Sequence, residues 1–287
     1  MLLCAGLGTR LRPLTEQLPK PLVPIGDRSI LEHIAERLAR AGFDSLVLNT
    51  HWLPETFPSV LTRLPIPART VHEPEIRGTA GGIAGARHLL GSGPILLWNG
   101  DILVEPPVAE LMEQVGDGLC MAIAPRPQGM GSVGCDAMGR VVRLRGERFG
   151  EETAGGDYVG VAALGERCLR ELPAKGCLVG DWALPELRRG GRVRAVEIDG
   201  TWVDAGDRAA YLAANLDWLN RRGLEAWCGP EALVGPGVTL RESVIGAGAQ
   251  VSGKGELYQV VVWPGAEVEA PLERSVVTTQ SQIVSTE

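Results

Sequence analysis

The chain has 287 residues, 45% apolar and 22% charged, with a net charge of −7, enough for one large α/β domain with a core and a small appendage. The acidic balance excludes a nucleic acid as the partner, because affinity for that polyanion rests on clustered Lys and Arg; phosphate binding has to be local. No run of about 18 apolar residues occurs, no basic segment precedes an apolar one and the six cysteines form no C-x-x-C pair, so the sequence predicts a cytoplasmic protein without membrane span, zinc site or disulfide framework.

In chain order, a short apolar strand leads into Cys4-Ala-Gly-Leu-Gly-Thr-Arg-Leu-Arg-Pro-Leu-Thr15, and Leu18-Pro-Lys-Pro-Leu-Val-Pro24 follows. Gly6 and Gly8 let the backbone turn and point N–H groups at an anion, while Arg10 and Lys20 add the positive charge a triphosphate needs. Leu11 stands where a dinucleotide fingerprint wants a third small residue, and no Gly-Lys-Ser/Thr is present for a P-loop. Only Lys20, Lys175 and Lys254 are lysines among the 28 basic residues; one held between Pro19 and Pro21 points to a position needing a compact ammonium rather than a planar fork.

Ser29-Ile-Leu-Glu32 is a capping box opening a helix through Arg40, with Ile30, Ile34, Leu38 and Ala41 at helical spacing and Gly42 as its stop. Strands are expected at 45–49, 69–72, 94–98, 119–124 and 158–164, and helices near 78–90 and 206–220. Alternating strands and helices imply right-handed βαβ units and a mainly parallel sheet. Ligands in such sheets bind beyond the carboxyl ends of the strands. There stand Asp101, after Ile95-Leu-Leu-Trp-Asn-Gly100, and Asp204, in Trp202-Val-Asp-Ala-Gly-Asp207, where Asp207 alone could serve as a helix cap.

Gly-x-Gly-Thr-Arg-Leu-x-Pro followed by Pro-Lys-Pro resembles the opening of the sugar-1-phosphate nucleotidylyltransferases. The resemblance implies a Rossmann-like, mainly parallel α/β sheet over residues 1–225. It also implies nucleotide contacts from Ala5, Gly6, Gly8 and Thr9, catalysis by Arg10 and Lys20, and magnesium held by Asp101 and Asp204. Such an enzyme joins a nucleoside triphosphate to a sugar 1-phosphate. Glu73-Pro-Glu-Ile-Arg-Gly-Thr-Ala-Gly-Gly82 resembles the family's base-reading loop, so Glu73, Gly78 and Thr79 are expected at the base. A carboxylate only accepts hydrogen bonds and therefore suits guanine, with its two adjacent donors, better than uracil.

On the sugar side the family often carries Glu-Lys-Pro after the strand that here ends near Leu144, whereas this chain reads Arg143-Leu-Arg-Gly-Glu-Arg148. No lysine is present, and Arg145 is the expected phosphate clamp. Gly131, Tyr158, Gly160 and Asp181 resemble the family's other sugar contacts. His33, His51, His72 and His88 fit structural or solvent-facing places, and none is needed as a base, because a sugar 1-phosphate has a second pKa of about 6 and is largely ionised near neutrality.

Beyond residue 225, Leu233-Val-Gly-Pro-Gly-Val238, Val244-Ile-Gly-Ala-Gly-Ala249 and Val261-Val-Trp-Pro-Gly-Ala266 resemble the hexapeptide repeat of a left-handed parallel β-helix. This tail, 226–287, is expected to turn its apolar residues inward, and either to pack on the catalytic domain or to join copies of the chain as a homo-oligomer. The nearest architecture is that of the mannose-1-phosphate guanylyltransferases. Two alternatives stay open: uridylyl transfer to an amino-sugar 1-phosphate, and a non-catalytic paralogue that binds a nucleotide sugar.

Overall fold

The structure, a computed structural model, describes residues 1–286. Its contacts fall into two compact units, Met1–Gly6 with Ile34–Trp202, and Leu7–His33 with Val203–Glu287. This division differs from the change of texture expected at 225/226. The glycine-rich segment after Gly6 and the helix before the tail group with the tail, through side-chain hydrogen bonds described below.

The first unit is built on a mixed sheet. Strands β1 (Leu2–Cys4), β2 (Leu46–Thr50), β3 (Ala68–His72) and β4 (Ile95–Asn99) are parallel, in the order β3-β2-β1-β4. They are followed by β5 (Leu119–Arg126), β6 (Val133–Cys135), β7 (Val141–Leu144), β8 (Ala154–Leu164) and β9 (Val193–Glu197). The long strand β8 runs antiparallel to β4, β5 and β6, while β9 returns parallel to β5. The five strands expected from the sequence are all present, with ends moved by up to four residues. Those not anticipated, β6 and β9, are short or take their partner from distant chain, so pairing rather than local pattern makes them strands.

Helix α1 (Ile30–Arg40) begins as expected: Ser29 N donates to Glu32 Oε2 (2.9 Å) and Glu32 N to Ser29 Oγ (3.2 Å), so each residue satisfies an orphan donor of the other. Its end is closed by Phe43 N donating to Leu38 O (3.0 Å), with Gly42 at φ 87°. The helix expected at 78–90 is α-helical over α2 (Gly78–Ala86) and tightens to 3₁₀ over Arg87–Leu89. Leu119, Met121, Ile123, Ala162, Leu164, Trp182 and Leu187 are buried in this unit's core. Each large side chain removed from water there contributes about 1.5–3 kcal/mol.

In the second unit helix α3 (Arg208–Asn220) is capped by Asp207, whose Oδ1 accepts from Ala210 N (2.9 Å). After it the chain stacks in parallel until its last strand, Ile283–Ser285, which returns antiparallel: Ala226 lies opposite Ser243, Leu233 opposite Gln250 and Gln250 opposite Glu267, a stagger of 17 residues in these pairs. Ile245, Val251, Leu257, Val262, Val268 and Val277 fill the interior of the stack. One expected inward residue is not inward: Leu233 is 64% exposed. Val234 takes the inward place against Val251, and strand alternation turns Leu233 to the surface.

Candidate functional site

The second unit carries the segment with the basic residues. Gly8 takes φ 61°, and a Cβ there would lie 2.7 Å from Thr15 Cγ2, so the turn requires glycine. Thr15 Oγ1 donates to Gly8 O (2.8 Å) and Leu11 N donates to the same carbonyl (3.0 Å), closing a 3₁₀ turn over Thr9–Leu11. The turn leaves Thr9 and Arg10 at the surface. Lys20 starts a second 3₁₀ turn, Lys20–Leu22, and is only 7% exposed.

The two cations meet one carboxylate. Lys20 Nζ lies 3.3 Å from Asp204 Oδ1, and Arg10 Nη2 lies 3.9 Å from Asp204 Oδ2. The Arg10 guanidinium lies over the backbone of Gly206, where a Cβ would be 3.1 Å from its terminal nitrogens. Asp207 makes the helix cap, which leaves Asp204 to the cations. Fixed positive charge at a half-exposed carboxylate is what can engage incoming phosphate oxygens.

The first unit carries the remaining candidates. Ala5 is buried and Gly6 exposed at the end of β1. Asp101 is half-buried just past β4, near Cys4, whose thiol is pushed up by burial and then by the Asp101 charge. Glu73, expected at the base, is 2% exposed, and Oε1 accepts from Asn49 Nδ2 (2.7 Å) and Oε2 from Arg77 N (3.0 Å). Asn49 Oδ1 in turn accepts from Cys4 N (2.9 Å). A buried carboxylate must be satisfied inside the fold, and this one braces the 73–82 loop. Gly78 and Thr79 are tied to a distant turn, with Ala80 N donating to Gly176 O (2.9 Å) and Leu178 N to Thr79 Oγ1 (2.7 Å).

That turn gathers the sugar-side candidates. Asp181 Oδ2 accepts from Cys177 N (2.6 Å), and Arg145 Nη2 lies 3.2 Å from Cys177 Sγ. Burial pushes the Cys177 thiol up, but the backbone N–H groups of Gly180 and Val179, the Arg145 charge and Thr79 outweigh it and hold it below the ordinary thiol value. Ser132 joins the others: its Oγ accepts from Tyr158 N (3.0 Å) and its carbonyl from Arg145 N (3.4 Å). Gly160 packs on the Asn99 amide at the end of β4. Burial pushes the Tyr158 hydroxyl up.

Gly131 is held by a residue the sequence did not single out. Arg143 Nη1 donates to Gly131 O (2.8 Å), Nη2 to Met130 O (2.8 Å) and Val133 O (3.2 Å), and the same guanidinium grips Glu152 through two contacts of 2.7 and 3.0 Å. The hydrogen bond from Arg143 holds the Glu152 carboxyl down to about 2. No local signal marks this pair, since the fold of β6 and β7 against β8 brings the two together. Arg145, two residues on, is exposed and keeps its charge outside the fold.

Three histidines bond to carbonyls: His33 Nε2 to Ile25 O (2.8 Å), His51 Nδ1 to Glu73 O (2.8 Å) and His88 Nδ1 to Gly85 O (3.1 Å). Among the described residues no group of three or more His, Cys, Asp or Glu is placed to hold a metal. Asp101 and Asp204 each offer hard carboxylate oxygens, the donor type that magnesium takes beside phosphate and water. No described helix is long and apolar enough to cross a membrane.

Residues 1–145 match the family model described as "Nucleotidyl transferase". The chain is 28% identical over 235 residues to a protein named mannose-1-phosphate guanyltransferase from Aspergillus oryzae, covering 76% of this chain and 64% of that one. It is 28% identical over 295 residues to mannose-1-phosphate guanylyltransferase 1 of Arabidopsis thaliana, covering 96% and 79%. The match thus spans less than two thirds of the fungal relative. Among solved structures, HddC from Yersinia pseudotuberculosis shares the fold with a TM-score of 0.64 at 23% identity, over 76% of this chain and 97% of that one. The family model takes in half of the chain and includes the glycine-rich turn, Lys20 and Asp101; this protein belongs to the nucleotidyl transferase family.

Proposed function

We propose that this protein transfers a nucleoside monophosphate from a nucleoside triphosphate to a sugar 1-phosphate. The observation that carries the reading is the convergence of Lys20 and Arg10 on Asp204 beside the glycine-rich turn. An oxygen of the sugar phosphate attacks the α-phosphorus, the bond from that phosphorus to the bridging oxygen breaks, and pyrophosphate leaves with the electron pair. The acceptor phosphate has a second pKa of about 6, so no general base is required. Lys20 and Arg10 neutralise charge developing on the transferred group and hold it in line, work worth several kcal/mol in a preorganised site. Asp101 and Asp204 would be the protein residues to hold magnesium, which when bound would further neutralise the triphosphate.

The names of the Aspergillus and Arabidopsis relatives support GTP and mannose 1-phosphate as substrates. Glu73 gives guanine no support, since its carboxylate is used inside the loop. Arg145 is the proposed clamp for the sugar phosphate, with Gly131, Tyr158, Gly160 and Asp181 around the sugar. The parallel stagger of the tail, 17 residues and then 15 from Leu257 opposite Leu272, supports a left-handed β-helix, a module through which copies of the chain could pair, and the protein as a whole is proposed to work in the cytoplasm.

A second reading has one observation behind it: Arg145 stands at the strand end where the resembled enzymes carry lysine, and it contacts Cys177. A non-catalytic protein that binds a nucleotide sugar would have that character. Pyrophosphate release separates the readings. The protein, with magnesium, is given mannose 1-phosphate, glucose 1-phosphate and N-acetylated amino-sugar 1-phosphates, each against GTP, UTP, dTTP and CTP. Release in one combination, lost in Asp101→Ala, supports the transferase and names both substrates; release with UTP and an amino sugar supports the uridylyl alternative. Binding of nucleotide sugars without release in any combination overturns the transferase.

A further inference from the structure

Helix α3 presents three residues at helical spacing, Tyr211, Asn215 and Trp218, to the turn that follows Lys20. Tyr211 Oη donates to Pro24 O (2.5 Å), and Asn215 Oδ1 accepts from Gly26 N (2.9 Å). Gly26, at φ 62°, lies flat on the Trp218 indole, where a Cβ would come within 2.0 Å of the ring. The tail reaches the same chain of contacts from behind. Trp263 Nε1 donates to Tyr211 Oη (3.0 Å), and both side chains are fully buried. A second tether joins Gln17 Nε2 to Thr278 Oγ1 (2.9 Å).

We infer that Trp263 and Tyr211 are positioning residues, and that the tail sets the placement of Lys20 through Pro24. Between Lys20 and Pro24 the backbone has little freedom. Pro21 and Pro24 fix φ, Val23 N donates to Lys20 O (3.2 Å) and Ile30 N to Val23 O (3.2 Å), so holding the Pro24 carbonyl holds the turn that carries the lysine. A buried hydroxyl bonded on both sides is costly to leave half-paired, and the shared Tyr211 oxygen makes the tail side and the Lys20 side interdependent. This role gives the stack a task within a single chain. It rests on Lys20 being the phosphate-handling lysine, but the placement itself can be read without turnover.

The scarcity of lysine supplies the test. The intact protein and its Tyr211→Phe and Trp263→Phe variants are treated with a small amine-acetylating reagent, and acetylation of Lys20, Lys175 and Lys254 is followed by mass spectrometry. Opening of the 20–26 turn exposes Lys20, so Tyr211→Phe is expected to raise its rate about fivefold, the factor carried by one lost net hydrogen bond, with Lys175 and Lys254 unchanged. Trp263→Phe, which keeps the bond to Pro24, is expected to raise it by a smaller factor. An unchanged Lys20 rate in both variants overturns the inference, and so does a rise shared equally by all three lysines in Trp263→Phe, which would mark a general loss of fold. If the protein turns over no substrate in any combination, the proposed function fails while the lysine rates still decide the positioning role.

Discussion

Two ion pairs in this molecule look alike in sequence and differ in build. Arg143 and Glu152 are both buried, meet through two contacts, and have their remaining polar atoms satisfied by backbone carbonyls and an amide. Lys20 and Asp204 meet at 3.3 Å, with the Asp204 side chain 35% exposed and a second cation, Arg10, 68% exposed at its other oxygen. A saturated pair has nothing left for a ligand and serves to hold the 128–134 loop. A carboxylate partly open to solvent leaves incoming phosphate oxygens room to approach the cations beside it. Burial of the carboxylate separates the two pairs.

The largest effect is expected where that comparison can be broken from the structural side. Arg143→Met leaves Glu152 buried without its partner and is expected to cost about 3–5 kcal/mol in urea unfolding. If the loss is below about 1 kcal/mol, the size of a surface pair, the contrast between the pairs fails. Because the Glu152 carboxyl is held down to about 2 from 4.5, its contribution is full above about pH 4.5 and is lost as pH falls toward 2. Glu152→Gln should flatten the stability profile across that window, as followed by unfolding at graded pH.

From the working side, Lys20→Met should lower the rate of pyrophosphate release by roughly 100–1,000-fold, the loss typical of one preorganised donor. The unfolding midpoint should move less than in Arg143→Met, because methionine fills the place of the buried Lys20 stem and Asp204, its side chain 35% exposed, stays solvated. A large fall in stability with a small fall in rate would reverse the assignment of the two pairs.

Glu73 sharpens the contrast by a smaller amount. Glu73→Gln weakens one hydrogen bond in the loop and is expected to cost about 1 kcal/mol of stability while leaving the preference among nucleotides unchanged. A switch of base preference in competition assays would return Glu73 to the base. The smallest effect belongs to Cys177, half-exposed beside Arg145. Its thiol titrates below the ordinary value, so near neutral pH iodoacetamide should label it faster than exposed Cys228, whose thiol burial pushes up. Arg145→Ala should narrow the difference.

Local patterns made much of this fold legible. The capping box at Ser29 and Glu32, the stop at Gly42 and five strand cores depend on neighbours within a few residues, and they stand where the sequence places them. The glycine-rich turn, Arg10 and Lys20 were legible for the same reason, since a turn and its charges are encoded together. Motif resemblance singles out Asp204; the structure adds that Asp207 caps helix α3 and that Asp204 meets Lys20 and Arg10.

What local pattern could not reach is set by pairing across distance. Arg143 meets Glu152 because of strand register, Glu73 turns inward because Asn49 waits on the neighbouring strand, and Leu233 faces out because Val234 found Val251. The tail looked like an appendage, yet Trp263 bonds to Tyr211 and Gln17 to Thr278. By itself the sequence determined most of the elements, the glycine-rich turn and the family. Only the tertiary structure decided which charged groups are enclosed in the fold and which stay open to solvent, because desolvation and hydrogen bonding belong to the packed chain and not to any stretch of it.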